Sequence, residues 1–170
     1  NIICSQLKAV AKKYGKDRQT EILYAEDVKE IPHEDFIEDY GIRLFLTKEN
    51  YFKKITLVSL RTSGEQKLKE DDSIICEMET TNKTDVLFFS DKQNVYKMKA
   101  HDLSETKASS MGDYLPNILG MEDDEKIIFI TATADYSGIM LFMYKNGKAS
   151  KIELNAYSTK TNRKKLINAY

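Results

Sequence analysis

The sequence predicts an all-β fold with an N-terminal helix, built as a partial propeller-like array of about three repeated four-strand units. Three observations predict it. One pattern occurs three times: Leu44–Ile55, Leu87–Met98 and Leu141–Ile152 each read as an apolar run, a short polar turn and a half-apolar run carrying lysine, which is a β-hairpin. The repeats are spaced by 43 residues from Leu44 to Leu87 and by 54 from Leu87 to Leu141. The match also extends beyond the hairpins. Leu60, Leu103 and Tyr157 follow them at corresponding positions, and Asp71-Asp72-Ser73-Ile74-Ile75-Cys76 and Asp123-Asp124-Glu125-Lys126-Ile127-Ile128 place an acidic turn and an apolar strand before the second and third.

The elements follow in order. Ile3, Leu7, Val10 and Tyr14 form a helical stripe. Gly15 stands where a helix C-terminus favours a left-handed residue. From Asp17 to Asp39 the chain carries nine acids and two bases and is interrupted by Pro32, which reads as an acidic linker ending in a short strand. The hairpin units run from Tyr40 to Tyr157. Ile127–Ile130 and Ile139–Phe142 are apolar throughout, so they are expected as central strands buried on both faces. Val95, Lys97 and Lys99 alternate with Tyr96 and Met98, which predicts one wet and one buried face. Ser158–Lys165 is a polar, basic loop leading toward a further unit. The boundaries are therefore 1–23 for the helix and its tail, 24–39 for the linker and 40–170 for the array, with units at about 40–84, 85–137 and 138–170.

At 170 residues, 41% hydrophobic and 31% charged, the chain can bury a core. It opens on Asn1 rather than methionine and ends in a lysine-rich segment, and is read as a piece of a longer polypeptide. No apolar run approaches the ~20 residues of a membrane span, and no signal peptide is visible. Cys4 and Cys76 form neither a disulfide framework nor a metal spacing and suit a reducing compartment. His33 and His101 read as surface residues, and Gly112, Gly120, Gly138 and Gly147 as turns rather than a phosphate loop. The aspartate pairs recur at one repeat position, which favours acidic turns over a metal site. The net charge is −1, but Lys145–Lys165 carries seven bases against one acid, so positive charge is segregated.

Several segments resemble the C-terminal β-pinwheel of the A subunit of bacterial type IIA topoisomerases, DNA gyrase and topoisomerase IV. Leu46-Thr47-Lys48-Glu49-Asn50-Tyr51-Phe52-Lys53-Lys54 is similar to the family's strand, turn and G-Y-V-K-R segment, with Asn50 in place of the turn glycine. Phe88–Lys99 is similar to F-T-x-x-G-x-V-Y-x-x-K, and Gly112–Leu119 with Asp124–Ile127 to G-x-x-I-x-N-L-L followed by D-E-x-I. Upstream, Lys13–Ile22 resembles the end of the same protein's DNA-breakage core, K-Y-G-D-x-R-x-T-x-I.

The resemblance implies a partial β-pinwheel that binds and bends or wraps duplex DNA without reading its sequence. Residues 1–23 would close the breakage-reunion domain. Lysines and arginines along a curved edge would meet phosphates. The repeat positions offer Lys53, Lys54, Lys97, Lys99, Lys148 and Lys151, and the loops offer Arg61, Lys67, Lys107, Lys160, Arg163, Lys164 and Lys165. The family's basic Q-R-R-G-G-x-G box falls on Ser59–Lys69, where Arg61 and Gly64 suggest the pattern but Glu65 places an acid in it. Bending, or selection of DNA geometry, is thus implied over full chiral wrapping. None of the ten tyrosines has the arginine and threonine neighbours of the DNA-cutting tyrosine, so catalysis is expected outside this chain. The implied partners are double-stranded DNA, the ATPase B subunit of the holoenzyme and the remainder of the A subunit, with no membrane, in the bacterial cytoplasm near the nucleoid. No cofactor is expected here; ATP and Mg2+ belong to other domains of the parent enzyme. Open edge strands would let the chain self-associate. From the residues alone, a propeller-type protein-interaction module without DNA affinity is the alternative.

Overall fold

The computed structural model describes residues 2–17, 20, 36–159 and 163–170. They fall into two compact units, 1–35 and 36–170. The first holds α1 (Ile2–Tyr14), whose stripe of Ile3, Leu7, Val10 and Tyr14 is exposed. Gly15 does not take the left-handed conformation expected of it. Glycine is needed there for a different reason: its amide closes on the Ala11 carbonyl at 2.7 Å, and a Cβ would collide with that oxygen. Residues 21–35, most of the expected linker, lie outside the described residues.

The second unit is built from β1 (Gly41–Thr47), β2 (Tyr51–Thr56), α2 (Leu57–Arg61), β3 (Ile74–Thr81), β4 (Asp85–Ser90), β5 (Val95–Lys99), β6 (Asp113–Tyr114), α3 (Leu115–Leu119), β7 (Ile127–Thr133), β8 (Ile139–Met143), β9 (Ala149–Glu153) and β10 (Lys165–Leu166). The three predicted hairpins are β1–β2, β4–β5 and β8–β9, all antiparallel. They share one turn. Asn50, Gln93 and Gly147 occupy the same repeat position, each with positive φ (64°, 62° and 80°). Each amide returns to the carbonyl three residues back: Thr47 at 3.1 Å, Ser90 at 3.1 Å and Tyr144 at 2.9 Å. The register is common too, with Leu44 opposite Lys54, Leu87 opposite Lys97 and Leu141 opposite Lys151.

The sheets have the orders β3-β1-β2-β6 and β10-β5-β4-β7, with β8–β9 as a two-stranded third. They stack as three layers. Ile42, Leu44, Leu46 and Phe52 of the first sheet meet Val86, Phe88, Tyr96 and Ile130 of the second. Leu87, Phe89 and Val95 on the second sheet's other face meet Met140, Phe142 and Ile152 of the third hairpin. The outer face of the first sheet is closed by Ala108 and Leu60 over Phe45 and Ile55.

Three expectations change. The sheets are not contiguous stretches of sequence. The apolar strand after Asp71-Asp72 pairs with β1, the hairpin before it, and β7 likewise pairs with β4. The edge strands β6 and β10 come from chain beyond the following hairpin and pair with β2 and β5. The strands expected to be buried on both faces are also placed differently. β7 is an edge strand with Ile128 and Phe129 about half exposed, and β8 exposes Ile139, Leu141 and Met143. Finally, β5 buries both Val95 and Tyr96, because both faces of the middle sheet are covered.

Candidate nucleic-acid interface

The structure sorts the thirteen candidate cations. Lys53 and Lys54 are adjacent on β2, so their side chains leave opposite faces, yet both are buried (1% and 2% exposed). Lys53 Nζ donates to Lys67 O at 2.6 Å, Ala108 O at 3.2 Å and Gln66 Oε1 at 3.2 Å. Lys54 Nζ donates to Asn82 Oδ1 at 2.7 Å, Ala100 O at 2.9 Å and Leu103 O at 3.1 Å. Burial lowers the pKa of both ammonium groups from the usual lysine value. With every ammonium hydrogen facing a protein acceptor, neither reaches a phosphate, which corrects their assignment to the DNA surface.

The lysines of β5 are half-buried. Lys97 Nζ donates to Thr159 Oγ1 at 2.9 Å and lies over the Tyr136 ring, 5.6 Å from its centroid. Lys99 pairs with Asp85 at 3.3 Å. Lys165, on β10, sits 5.3 Å from the Tyr96 ring centroid and 4.0 Å from Glu122. Lys160 lies outside the described residues.

The exposed candidates are Arg61, Lys67, Lys107, Lys148, Lys151, Arg163 and Lys164. Topology groups them. The segments holding Arg61 and Lys67, Lys107, and Arg163 with Lys164 all follow the second strand of a hairpin. The segment after β5 then runs along the edge of β2, with Thr106 N donating to Lys54 O at 2.8 Å before β6 pairs at Tyr51 and Phe52. Gly112 permits that approach: its φ is +90°, and a Cβ would collide with the Phe52 carbonyl. The segment after β9 repeats the path along β5, Lys97 N donating to Lys164 O at 2.8 Å. Lys107 and the Arg163–Lys164 pair therefore occupy equivalent outer edges of neighbouring sheets, whereas Lys148 lies at a hairpin tip and Lys151 on the outer face of β8–β9. Lys69 and Lys145, exposed in the Lys67 loop and the Lys148 turn, are not among the candidates drawn from the sequence; counting every cation in those loops finds them.

The acidic residues are structural. Asp72 Oδ1 accepts from Glu49 N at 3.1 Å and Ser73 N at 2.8 Å, tying the acidic turn to the first hairpin. Asp124 and Glu122 pair with Lys92 at the second. Glu125 is 1% exposed and accepts from Asn94 Nδ2 at 2.8 Å and the Tyr96 hydroxyl at 2.7 Å. Burial alone would raise its pKa, but hydrogen bonds from Ser90, Tyr96 and Asn94 outweigh burial and leave it below the usual glutamate value. Asn50 joins the two sheets, its Nδ2 donating to Glu125 O at 3.2 Å and its Oδ1 accepting from Ile127 N at 2.9 Å. Among the described residues no group of three or more His, Cys, Asp or Glu side chains could hold a metal ion, and no helix is long and apolar enough to cross a membrane.

Two comparisons place this arrangement. The chain is 31% identical over 167 residues, 94% of its length, to the DNA gyrase A subunit of Ureaplasma parvum. It is 28% identical over 171 residues to the DNA topoisomerase 4 A subunit of Bacillus subtilis, covering 98% of this chain. Its homologues are the A subunits of DNA gyrase and topoisomerase IV. The solved C-terminal domain of a DNA topoisomerase IV superposes with a TM-score of 0.67 at 27% identity, over 76% of this chain and 41% of that domain. The fold is thus the β-pinwheel of those C-terminal domains, here as open stacked sheets preceded by a helix. The chain spans about a fifth of the length of the curated proteins it matches (20% and 21%). No family model matches it.

Proposed function

We propose that the 36–170 unit binds duplex DNA through its phosphates, without reading sequence, and bends it for a type IIA topoisomerase A subunit. The observation that carries this is the placement of exposed cations on equivalent outer edges, Lys107 beside the first sheet and Arg163 with Lys164 beside the second, in a fold shared with the C-terminal domain of a topoisomerase IV. Cations repeated from sheet to sheet suit a regular phosphate row followed along a curve. Lys53 and Lys54 are no part of this surface. Lys165, held by Tyr96 and Glu122, is secondary to Arg163 and Lys164. The domain performs no catalysis and takes no cofactor; ATP and Mg2+ act on other domains, and the rest of the A subunit, together with the B subunit, completes the enzyme. Whether the parent supercoils or decatenates is set by the whole assembly.

The test is fluorescence anisotropy with a labelled duplex of about four helical turns across a salt series. Affinity should fall with a log–log slope of about −0.9 per phosphate neutralised. The Arg163→Gln/Lys164→Gln variant should flatten the slope by about two phosphates and weaken binding equally on unrelated sequences. Binding that ignores salt, or is absent at low salt in the full-length A subunit, would favour a protein-interaction module instead.

A further inference from the structure

Lys53 is a buried cation that the repeat does not dictate. It stands opposite Phe45 in the first hairpin, and the residues opposite Phe88 and Phe142 in the other two are Tyr96 and Ser150. The hairpin therefore folds without a lysine here, and a buried ammonium is costly to desolvate. In the first unit it joins two loops that are distant in sequence. Gln66 and Lys67, which take two of its three bonds, lie between α2 and β3, and Ala108, which takes the third, lies between β5 and β6. The Lys67 amide also donates to Ala108 O at 2.8 Å, so that carbonyl receives both the facing loop and the ammonium. Ala108 is buried against Phe45 and Ile55, with Leu60 packed beside it.

The residues on this seam are cationic. Lys67 and Lys107 are both exposed. The backbone around Lys107 is pinned on either side: Thr106 N donates to Lys54 O at 2.8 Å, and Lys107 O accepts from Ser110 N at 3.0 Å and Ser110 Oγ at 2.8 Å. Gly112 then passes so close to β2 that a Cβ would stand 2.7 Å from Lys53 Cγ. Two loops that carry like charges repel each other. Hydrogen bonds from a charged donor are roughly twice as strong as neutral ones, and here they fall on the backbone of Lys67 and of the residue after Lys107.

We propose that Lys53 is a positioning residue for DNA: it reaches no phosphate, but it locks the two loops together so that Lys67 and Lys107 form one two-cation site for the DNA backbone. This rests on the DNA-binding reading above. A site assembled before binding loses less conformational freedom when the ligand arrives. Lys54 supplies the comparison. It is the next residue on the same strand, is equally buried and makes three bonds. Its acceptors, Asn82, Ala100 and Leu103, do not include the Lys67 loop, so it does not hold Lys67 to Lys107.

The experiment measures DNA affinity and its salt slope in the full-length A subunit, well below the Tm of each variant. Lys67→Gln and Lys107→Gln should each flatten the slope by about one phosphate. Together they should lose about threefold less affinity than the product of the two single losses, as coupled residues do. Lys53→Met should weaken binding about tenfold, the order expected when one backbone residue must be ordered on binding. It should also make the Lys67 and Lys107 losses multiply, and speed exchange of the Lys67 amide in the absence of DNA. Lys54→Met should keep wild-type affinity and coupling. Wild-type affinity in Lys53→Met would assign the lysine to stability alone and overturn the proposal while leaving the DNA reading in place. Equal losses in Lys53→Met and Lys54→Met would overturn it as a global effect, and salt-independent binding by the wild type would overturn both readings. If Lys53→Met fails to fold, the cycle between Lys67 and Lys107 decides, and losses that simply multiply overturn the proposal.

Discussion

The ammonium of Lys54 donates to Asn82 and to two backbone carbonyls, and those bonds tie the first sheet to the turn that closes the second hairpin. Removing it takes the donor from three acceptors, of which Ala100 O keeps the Leu103 amide at 3.3 Å, and unsatisfied buried groups cost about 1–3 kcal/mol each before relaxation. Lys54→Met should therefore lower the unfolding free energy by about 2–4 kcal/mol, read by urea denaturation, while leaving the salt slope of DNA binding intact. Lys107→Gln should do the reverse. Glu125 gives a pH signature. Its folded pKa is depressed, so its contribution is complete above the ordinary glutamate value of 4.5 and is lost as pH falls below that value through the folded one. Glu125→Gln should remove that part of the acid transition, read in thermal melts as pH is lowered below 4.5. The buried lysines show a limit of sequence reading. A lysine in a strand is by default a solvated edge, and nothing local in Lys53-Lys54 records that carbonyls from residues 67, 100, 103 and 108 would close over them.

At the scale of the hairpin, the shared turn makes opposite predictions at equivalent positions. Gln93 holds φ at 62° and its side chain bridges no sheets, so Gln93→Gly relieves left-handed strain and should raise stability by about 0.5–1 kcal/mol. Asn50 holds nearly the same φ, 64°, but its side chain bridges Glu125 and Ile127, so Asn50→Gly should destabilise by about 1–3 kcal/mol despite the easier backbone. Differential scanning calorimetry of the two variants gives shifts of opposite sign. The hairpins themselves are legible in the sequence because alternation, turn composition and register are local properties. Membership in a sheet is not. β6 follows the second hairpin and precedes the third, and only the tertiary pairing of Tyr51 with Tyr114 shows that it belongs to the first sheet. Burial of β7 and β8 departs from expectation for a related reason. An all-apolar run states that a strand needs cover, but not whether the described chain supplies it.

Across the whole molecule, stability should be graded. The middle sheet is covered on both faces, while β8–β9 is covered on one and pairs with no further strand among the described residues. Hydrogen exchange of the 170-residue chain should therefore rank β4 and β5 slowest and β8 and β9 fastest of the hairpins. Equal protection across all three would contradict the layered description. Open apolar edges also favour self-association, and sedimentation velocity over a concentration series should show oligomers that Leu141→Lys and Met143→Lys variants abolish. Charge follows the same divide between local and global. The basic tail is visible in Lys145–Lys165, but the equivalence of the edges that carry Lys107 and Arg163 with Lys164 comes only from the path of the chain.

That path bears on synthesis. The first sheet takes its outermost strand from residues 113–114, beyond the complete second hairpin, and the second takes its own from 165–166, beyond the third. A ribosome releasing this chain cannot finish one sheet before the next has emerged. Each new hairpin must leave the exit tunnel before its predecessor is sealed, so a pause after residue 112 would hold a nascent protein with one edge of its first sheet bare.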